Sequence, residues 1–526
     1  MLLGERNRVA GSAASKALEK PAVGMNVKRG RFLAVERTQT DEIVPAFAQR
    51  NVLGDELAEI GPSQDLSLDA VVDPHEPYFA ARRPPPTLAA ARSHGLCGGI
   101  SARLSHSVQV KRIYDPVHRF IEVSDAEAAL LDTMPMQRLR RLRQLGLAYL
   151  AFPAAEHSRF THALGAMAVG DRVLESVRRH DADAFASEAE YQSARRLLRA
   201  ALLVHDVGHG PFSHACEAVL GIAYERRTND ILLLPQMRAA LERLDVDPLA
   251  VVALVVGNDT VVHPVLRELV SGPNLDADRM DYLLRDAYFT GVTSGHYDSE
   301  QLIGSLRTVV APNGERVLGV DGRGTVALES LVLARYMMFA TVYFHHTTRT
   351  FEHLLHEALH AIWPDPHALD PVEEFMEWDD FRVLDELRGA PGEAASALRD
   401  RNRIYAVIAE FNAEADLAAY QMCRKALAER YGEAVWADEQ EQPLHRLPFG
   451  NAAGSTVYVR TRTGVVDARD ASDLIARLAG KAYWRKLFLR RGGVDIDEAR
   501  ALCANLMTPG HAGRAREFPP LRRSLA

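Results

Sequence analysis

The stretch HDVGHGPFSH, residues 205–214, decides the fold, and it directly follows the apolar run 197–204, which has the character of a buried helix. A buried His-Asp pair at a helix end is costly unless the carboxylate gains a partner. Two glycines and a proline end that helix, and Ser213 can cap a second one whose first turn holds His214 and attracts anions. A lone His-Asp pair commonly ends a helix without any function, but this longer string predicts metal-dependent catalysis.

Possible metal ligands occur at four places in the predicted helical body. They are His162 in HSRFTH (157–162), the pair 205–206, the loop histidines 209 and 214, and Asp278 in DADRMDY (276–282). Two histidine nitrogens with two carboxylate oxygens suit Mn, Fe, Co, Ni or Zn, and they leave positions for water and a phosphate oxygen. Such an ion holds a phosphoryl group and lowers the pKa of a bound water.

Further polar side chains lie at helical spacing near these places. Glu217 is three residues after His214, so it can accept a hydrogen bond from that imidazole and raise its basicity. Asp278, Tyr282 and Asp286 are four residues apart and form one stripe of a helix. This stripe lines a site if it faces inward, and it has no such role if it faces solvent.

Two basic segments carry weaker signals. The segment 335–360 contains His345, which either lines a site or satisfies the core, and Arg349, whose guanidinium fork can bind phosphate oxygens in pairs. The arginine run 138–143 is typical of a solvated helix face.

Composition excludes several classes of protein. The chain has 526 residues, of which 47% are hydrophobic and 25% charged, and its formal net charge is −8 at pH 7. This balance argues against a constitutive nucleic-acid or anionic-membrane coat, which needs a basic face. An uninterrupted apolar run of 18 or more residues is absent, so we expect no membrane partner. Four scattered cysteines predict neither a zinc knuckle nor a disulfide framework, and they favour the cytoplasm.

The apolar spacing predicts a mainly α fold with small β-hairpins. We expect a helical bundle over 107–363, an α+β C-terminal part over 364–508 and a loose tail over 509–526. Helices are predicted at 135–145 and 325–362, among others. For residues 1–106 two interpretations stay open, a poorly ordered extension or sequence upstream of a mis-assigned start codon.

Five motifs resemble the HD-domain superfamily of metal-dependent phosphohydrolases. They are DPVHRFIEV (115–123), DTMPMQRLRRLRQLG (132–146), FPAAEHSRFTHALG (152–165), HDVGHGPFSHACE (205–217) and LDADRMDYLLRDAYFTGV (275–292). Within it they are similar to the deoxynucleoside-triphosphate triphosphohydrolases, a branch that includes bacterial enzymes and the animal enzyme with a sterile-alpha-motif domain. The resemblance implies an HD-domain helical bundle.

The resemblance also implies roles for individual residues. The implied metal ligands are His162, His205, Asp206 and Asp278. The implied catalytic residues are His209, His214 and Glu217, with Glu217 as the partner of His214. The implied substrate-lining positions are Gln144, Leu145, Arg159, Tyr282, Asp286 and His345. Arg349 is also predicted to bind substrate, but because of its guanidinium group and not because of the resemblance.

The implied reaction is hydrolysis of a dNTP to deoxynucleoside and triphosphate. One divalent transition metal would serve the protein, and Mg would accompany the nucleotide. Tyr282 would stack on the sugar and disfavour a 2′-hydroxyl, while His214 would give a proton to the leaving 5′-oxygen.

Regulation is also implied by the resemblance. Asp132, Gln137 and Arg140 stand at the spacing with which the family's nucleotide-activated tetramers recognise guanine, and Lys111 is available for phosphates. We therefore expect a GTP or dGTP activator and a homodimer or homotetramer. The chain departs from many relatives at Tyr224, where they have a histidine, so a third imidazole is missing there.

Two other functions stay open at this stage. The chain could act as another nucleotide phosphohydrolase of the superfamily, or as a nucleotide-sensing regulator with weak turnover. The GYP motif of cyclic-di-GMP hydrolases and the HDxxED pattern of alarmone hydrolases are absent from the sequence.

Overall fold

The computed structural model describes residues 110–221, 223–257, 263–272, 274–365, 367, 369–443, 456–478 and 481–507, all within the compact unit Ser101–Ala526. The side chains at 214, 440–443 and 481 are outside the described part. The predicted extension 1–106 and tail 509–526 also lie outside the described residues, so those two predictions stay untested.

Helices make up most of the described chain. They are α1 Asp125–Leu131, α2 Met134–Arg138, α3 Arg159–His180, α4 Glu188–Val204, α5 His214–Leu220, α6 Tyr224–Leu232, α7 Pro235–Arg243, α8 Pro248–Val256, α9 Pro264–Ser271, α10 Ala277–Thr290, α11 Ser299–Ser305, α12 Thr325–Met338, α13 His346–Ile362, α14 Val372–Met376, α15 Asp380–Gly389, α16 Glu393–Arg399, α17 Leu417–Tyr431, α18 Ala468–Ala471, α19 Asp473–Arg477 and α20 Ile496–Leu506. This mainly helical architecture confirms the predicted fold class.

Three small sheets accompany the helices in the described part of the chain. Their strands are β1 Val110–Asp115, β2 Arg119–Ser124, β3 Leu306–Val310, β4 Arg316–Asp321, β5 Tyr405–Phe411, β6 Val435–Pro443, β7 Tyr458–Arg460, β8 Val465–Asp467 and β9 Lys481–Arg490. Strands β1 and β2 form an antiparallel hairpin, and β9 lies between β5 and β6 with both pairings antiparallel. In the third sheet, ordered β3-β4-β7-β8, the β4–β7 pairing is parallel.

Side-chain caps fix the start of the helices that later form the site. The Ser124 hydroxyl and the Glu127 carboxylate make a complete capping box at α1. Ser187 caps α4, and Asp276 caps α10 by accepting from the Arg279 amide. The central helix α3 is buried along most of its length and packs against both α4 and α10. The main hydrophobic core therefore surrounds these three helices.

Two predicted helices are interrupted, each for a visible reason. The helix expected at 135–145 ends at Arg138, passes through a 3₁₀ turn, and becomes extended, because the amide of Gln144 bonds to the carbonyl of His157 instead. The helix expected at 325–362 breaks at a π-helical turn, where the amide of Phe344 reaches the carbonyl of Phe339. Both phenylalanines pack against Trp484 of β9, which holds the break in place.

One apolar segment bears on the membrane expectation. Gly322–Tyr343 is long and apolar enough to cross a membrane, and 44% of its most apolar window is buried inside the protein. A core helix passes the same test, and the guanidinium of Arg335 is buried within this segment. The absence of a membrane partner stays a prediction.

A glycine at the centre of the fold gives a stability test. A Cβ at Gly208 would lie 2.2 Å from the carbonyl oxygen of Tyr224 and 2.4 Å from the amide of Thr228. We expect Gly208→Ala to lower the free energy of unfolding by about 1–3 kcal/mol, because the backbone at Tyr224 and Thr228 must shift to make room for the new Cβ. Gly304→Ala in α11 is the matched control, since its Cβ meets nothing within 4 Å. Equal thermal unfolding of Gly208→Ala and the parent would contradict this packing.

Candidate metal centre

Four polar side chains from three helices meet in the core. His162 lies in the first turn of α3, His205 and Asp206 directly follow α4, and Asp278 lies in the first turn of α10. The ligand atoms of His162, His205 and Asp278 all lie within 4.8 Å of one another. The structure therefore brings together four residues that are spread over more than a hundred positions of the sequence.

The distances among these groups are short. His162 Nε2 is 2.8 Å from Asp278 Oδ1 and 3.9 Å from Asp206 Oδ2. His205 Nε2 is 3.4 Å from Asp206 Oδ1 and 3.7 Å from Asp278 Oδ1. Each imidazole thus faces both carboxylates, and the four groups enclose one small space.

Hydrogen bonds on the outer side of both rings fix their tautomers. His162 Nδ1 lies 2.7 Å from Asp281 Oδ2, and His205 Nδ1 lies 2.8 Å from the carbonyl oxygen of Leu202. A carboxylate or a carbonyl can only accept, so Nδ1 carries the hydrogen and the lone pair of the neutral ring is on Nε2. Both Nε2 atoms face the two carboxylates across the space between the four groups. Such a pair of atoms with two carboxylates fits a divalent transition metal.

The same charges shift the pKa values in the centre. Burial lowers the pKa of His162, but hydrogen bonds and charges from Asp278 and Asp281 outweigh it and raise the pKa to about 10. Burial raises the pKa of Asp206, but the Arg159 guanidinium and the nearby histidines hold it well below its usual range. The pKa of Asp278 is likewise low, because His162 and His205 outweigh burial. The carboxylates therefore stay ionised, as metal ligands must.

His209 lies at the edge of the four ligands, between two carboxylates. Its Nε2 is 3.3 Å from Asp206 Oδ1, and its Nδ1 is 3.2 Å from Glu217 Oε1. The sequence paired Glu217 with His214, whose side chain is outside the described part, so that pairing stays a prediction. The Tyr224 ring stacks on His209 with centroids 4.2 Å apart and planes 11° from parallel.

Two arginines hold the loop that carries His209. Arg138 Nη1 donates to the carbonyl of His209 over 2.8 Å, and this arginine is fully buried. The expected solvated face of the arginine run is therefore wrong for Arg138, which satisfies carbonyls in the core. Arg159 donates to Asp206 over 2.6 Å and to Ser213 Oγ. Ser213 makes no side-chain cap on α5, because its hydroxyl is used by Arg159.

A second group of side chains lies along α10, next to Asp278. Tyr282 OH accepts a hydrogen bond from Arg335 Nη1 over 3.1 Å. Asp286 is buried, with one oxygen 2.8 Å from His157 Nε2 and the other accepting from Tyr343 OH over 2.7 Å. The stripe predicted from spacing therefore faces inward. Arg335 and His157, which lie on other elements, were not predicted from the sequence.

Gln144 and Leu145 reach this region through backbone pairing. The amide of Gln144 bonds to the carbonyl of His157 over 2.9 Å, which places it beside the residue that contacts Asp286. Gln144 Oε1 is buried and has no hydrogen-bond partner among the described residues. Leu145 packs against the main core.

His345 and Arg349 are engaged with other protein groups. His345 caps α13 and stacks on His346, and burial lowers its pKa to about 4, so it is neutral near pH 7. Arg349 holds both oxygens of Asp438 at 2.8 Å. Phosphate binding by Arg349 needs this pair to open and stays a prediction.

Three of the four expected effector residues are close together. Gln137 Oε1 accepts from Arg140 Nε over 3.0 Å, and Gln137 Nε2 donates to the carbonyl of Leu131, next to Asp132. Lys111 lies on β1, 3.8 Å from Asp125, which begins α1. Their role in nucleotide binding stays a prediction.

Known proteins are similar to this chain. Residues 297–499 match the family model described as HD associated region. A Dictyostelium discoideum protein named deoxynucleoside triphosphate triphosphohydrolase SAMHD1 homolog is 27% identical over 260 residues, which are 47% of this chain and 48% of that protein. The chain belongs to the HD phosphohydrolase superfamily. This HD phosphohydrolase is also 41% identical over 253 residues, 47% of its length and 54% of the relative, to the uncharacterized protein YwfO of Bacillus subtilis.

A solved structure shares the fold. A hypothetical protein from Aquifex aeolicus matches the HD phosphohydrolase with a TM-score of 0.64 and 30% identity, over 75% of this chain and 99% of that chain. The matches to the curated relatives span about half the length of those relatives. The family makes this chain a hydrolase, and the His and Asp cluster gives it a candidate metal site.

Loss of one imidazole should remove the ion. We expect the parent to retain about one divalent ion per chain and His205→Ala to lose nearly all of it, because the ion loses one of its four protein ligands. Metal content after incubation with Mn²⁺ and desalting, measured by mass spectrometry, checks this. His296→Ala is the control, since His296 is exposed. Equal metal content in His205→Ala and the parent would contradict the site.

Proposed function

We propose that this HD phosphohydrolase cleaves deoxynucleoside triphosphates to deoxynucleoside and triphosphate. The observation that carries the proposal is the buried guanidinium of Arg335, which contacts Tyr282 one helical turn from Asp278. Burial lowers the pKa of Arg335, and its Nε has no hydrogen-bond partner in the described part. A buried cation of this kind calls for an anion, and a phosphate chain extending from the metal centre supplies one.

The relatives support the substrate class. The name of the Dictyostelium protein gives deoxynucleoside triphosphates as its substrates and triphosphohydrolysis as its reaction. Gln144 Oε1, which has no hydrogen-bond partner among the described residues, could accept a hydrogen bond from a sugar hydroxyl. Gln144 lies next to His157, because its amide bonds to the carbonyl of His157. The ring of Tyr282 supplies a flat apolar face for the sugar, where a 2′-hydroxyl would meet no partner.

The chain's own residues divide the chemical step. His162, His205, Asp206 and Asp278 would hold the metal, which supplies Lewis acidity toward phosphoryl oxygens. Water attacks the α-phosphorus, the bond from that phosphorus to the 5′-oxygen breaks, and triphosphate and deoxynucleoside leave. Glu217 and Asp206 hold the His209 ring from both of its nitrogens at 3.2 and 3.3 Å. His214 gives a proton to the leaving 5′-oxygen, and the proton lost by water returns to solvent.

The wider setting is proposed on the same basis. We place GTP or dGTP at Lys111, Asp132, Gln137 and Arg140, and we propose a homodimer or homotetramer in the cytoplasm without membrane or nucleic-acid partners. The transition metal is Mn, Fe, Co, Ni or Zn, with Mg carried by the nucleotide. The adjacency of Gln137 and Arg140 supports the effector site.

Product analysis tests the reaction directly. Purified protein is incubated with Mn²⁺ and each dNTP, with and without GTP, and its products are separated by ion-exchange chromatography. We expect inorganic triphosphate and deoxynucleoside in equal amounts, and no turnover by His205→Ala. Release of pyrophosphate or monophosphate would replace the proposal with another nucleotide hydrolase. Nucleotide-dependent oligomerisation without any release would replace it with a sensor.

Tyr224 gives a second prediction, because it stacks on His209 where many relatives have a histidine. We expect Tyr224→Phe to keep kcat within a few fold, since the stacked ring remains, and Tyr224→Ala to lower kcat about 10-fold or more as His209 loses its packed orientation. Steady-state kinetics checks this, with KM and metal content unchanged in both variants. Equal kcat for Tyr224→Ala and the parent would show that the stack does not orient His209.

A further inference from the structure

Behind the metal centre lies a buried carboxylate that is not one of the four ligands. Asp281 is fully buried on α10, and its Oδ2 accepts from His162 Nδ1 over 2.7 Å. Its Oδ1 lies 2.6 Å from His118 Nε2 in the turn between β1 and β2. One carboxylate therefore joins a metal ligand on α3 to a hairpin far away in sequence.

An arginine completes this connection. Arg285 donates to both oxygens of Asp281, over 2.8 and 2.9 Å, and its third contact is with Asp115 Oδ2 over 2.8 Å. Asp115 in turn accepts the amides of Val117 and His118 at 2.9 and 2.8 Å, which fixes the hairpin turn. The turn that carries His118 is thus held by the same ionic group.

Helix α3 packs closely against the Asp281 and Arg285 side chains. A Cβ at Gly165 would lie 1.9 Å from Asp281 Oδ1 and 2.3 Å from Arg285 Nη2, so α3 can approach α10 this closely only because it has a glycine there. Asp281 and Arg285 are both fully buried. A side chain held at this density can transmit a small displacement instead of absorbing it.

The two metal-facing imidazoles are held differently. His205 Nδ1 donates to a carbonyl of its own helix end, three residues earlier. His162 Nδ1 donates instead to a carboxylate of α10 that is itself bound by a side chain of the hairpin. The Nδ1 partner of His162 is therefore held by the hairpin, whereas the Nδ1 partner of His205 belongs to the end of α4.

We propose that Asp281 is the positioning residue of the metal centre and that His118 ties it to the β1–β2 hairpin, so that the hairpin sets metal affinity through His162. This proposal rests on the metal centre and does not depend on the substrate proposed above. The hydrogen bond from the ring orients Nε2 toward the ion, and the carboxylate charge makes the imidazole a stronger ligand. The hairpin thus forms part of the metal centre without contacting the ion.

Metal binding without nucleotide tests this proposal. The metal-free full chain is titrated with Mn²⁺, and the concentration of free Mn²⁺ is measured by electron paramagnetic resonance. We expect Asp281→Asn to raise the Kd for Mn²⁺ about 10–100-fold, the usual cost of losing the partner of a ligating histidine. His118→Ala should raise it by less, and His118→Gln should restore most of the affinity, because its amide can donate to the same oxygen.

A control on the same hairpin separates positioning from general disruption. Tyr114 is 83% exposed on β1 and is outside this hydrogen-bonded group, so Tyr114→Ala should keep the Kd of the parent. Should Asp281→Asn fail to fold, His118→Ala and His118→Gln still decide the matter. Parental Mn²⁺ affinity in folded His118→Ala would overturn the proposal, and so would an equal loss in Tyr114→Ala. Each result stands whichever phosphoester the protein cleaves.

Discussion

The structure depends on two imidazoles and two carboxylates being held together where α3, α4 and α10 meet. Arg159 and the facing histidines lie close to Asp206 and Asp278 and stabilise their negative charges. A divalent ion bound between the carboxylates would take the lone pair of each Nε2 atom. The close packing of α3 against α4 and α10 is therefore also the assembly of the site.

The loop after the His-Asp pair adopts an unfavourable backbone conformation. Phe212 and Ser213 both adopt positive φ angles, 52° and 54°, which non-glycine residues rarely do. The amide of Phe212 donates to Asp380 over 2.8 Å, and Arg159 holds the hydroxyl of Ser213. These contacts compensate a strain of about 1–3 kcal/mol per residue and fix the loop beside the metal centre. The same arginine thus serves Asp206 and the loop.

The sequence predicted what local chemistry determines and missed what distant packing determines. The string 205–214 pointed to the His and Asp residues that the structure brings together, and the 278, 282 and 286 stripe followed from helical period alone. Arg335 had no such signal, since its contact with Tyr282 exists only once two helices have packed. The end of the helix before Gln144 could not be predicted either, because the Gln144 amide bonds to the carbonyl of His157 and not to a carbonyl of the same helix. Arg138 was expected in solvent for the same reason, as its carbonyl partners lie far along the chain.

The central claim is that one ion is bound between His162 and His205, with Asp206 and Asp278 beside them. Anomalous X-ray diffraction from Mn²⁺-loaded crystals, recorded above and below the metal absorption edge, tests it most directly. The account predicts a single strong peak per chain at about 2.0–2.2 Å from both Nε2 atoms. No peak there, or a peak only at other residues, would contradict it.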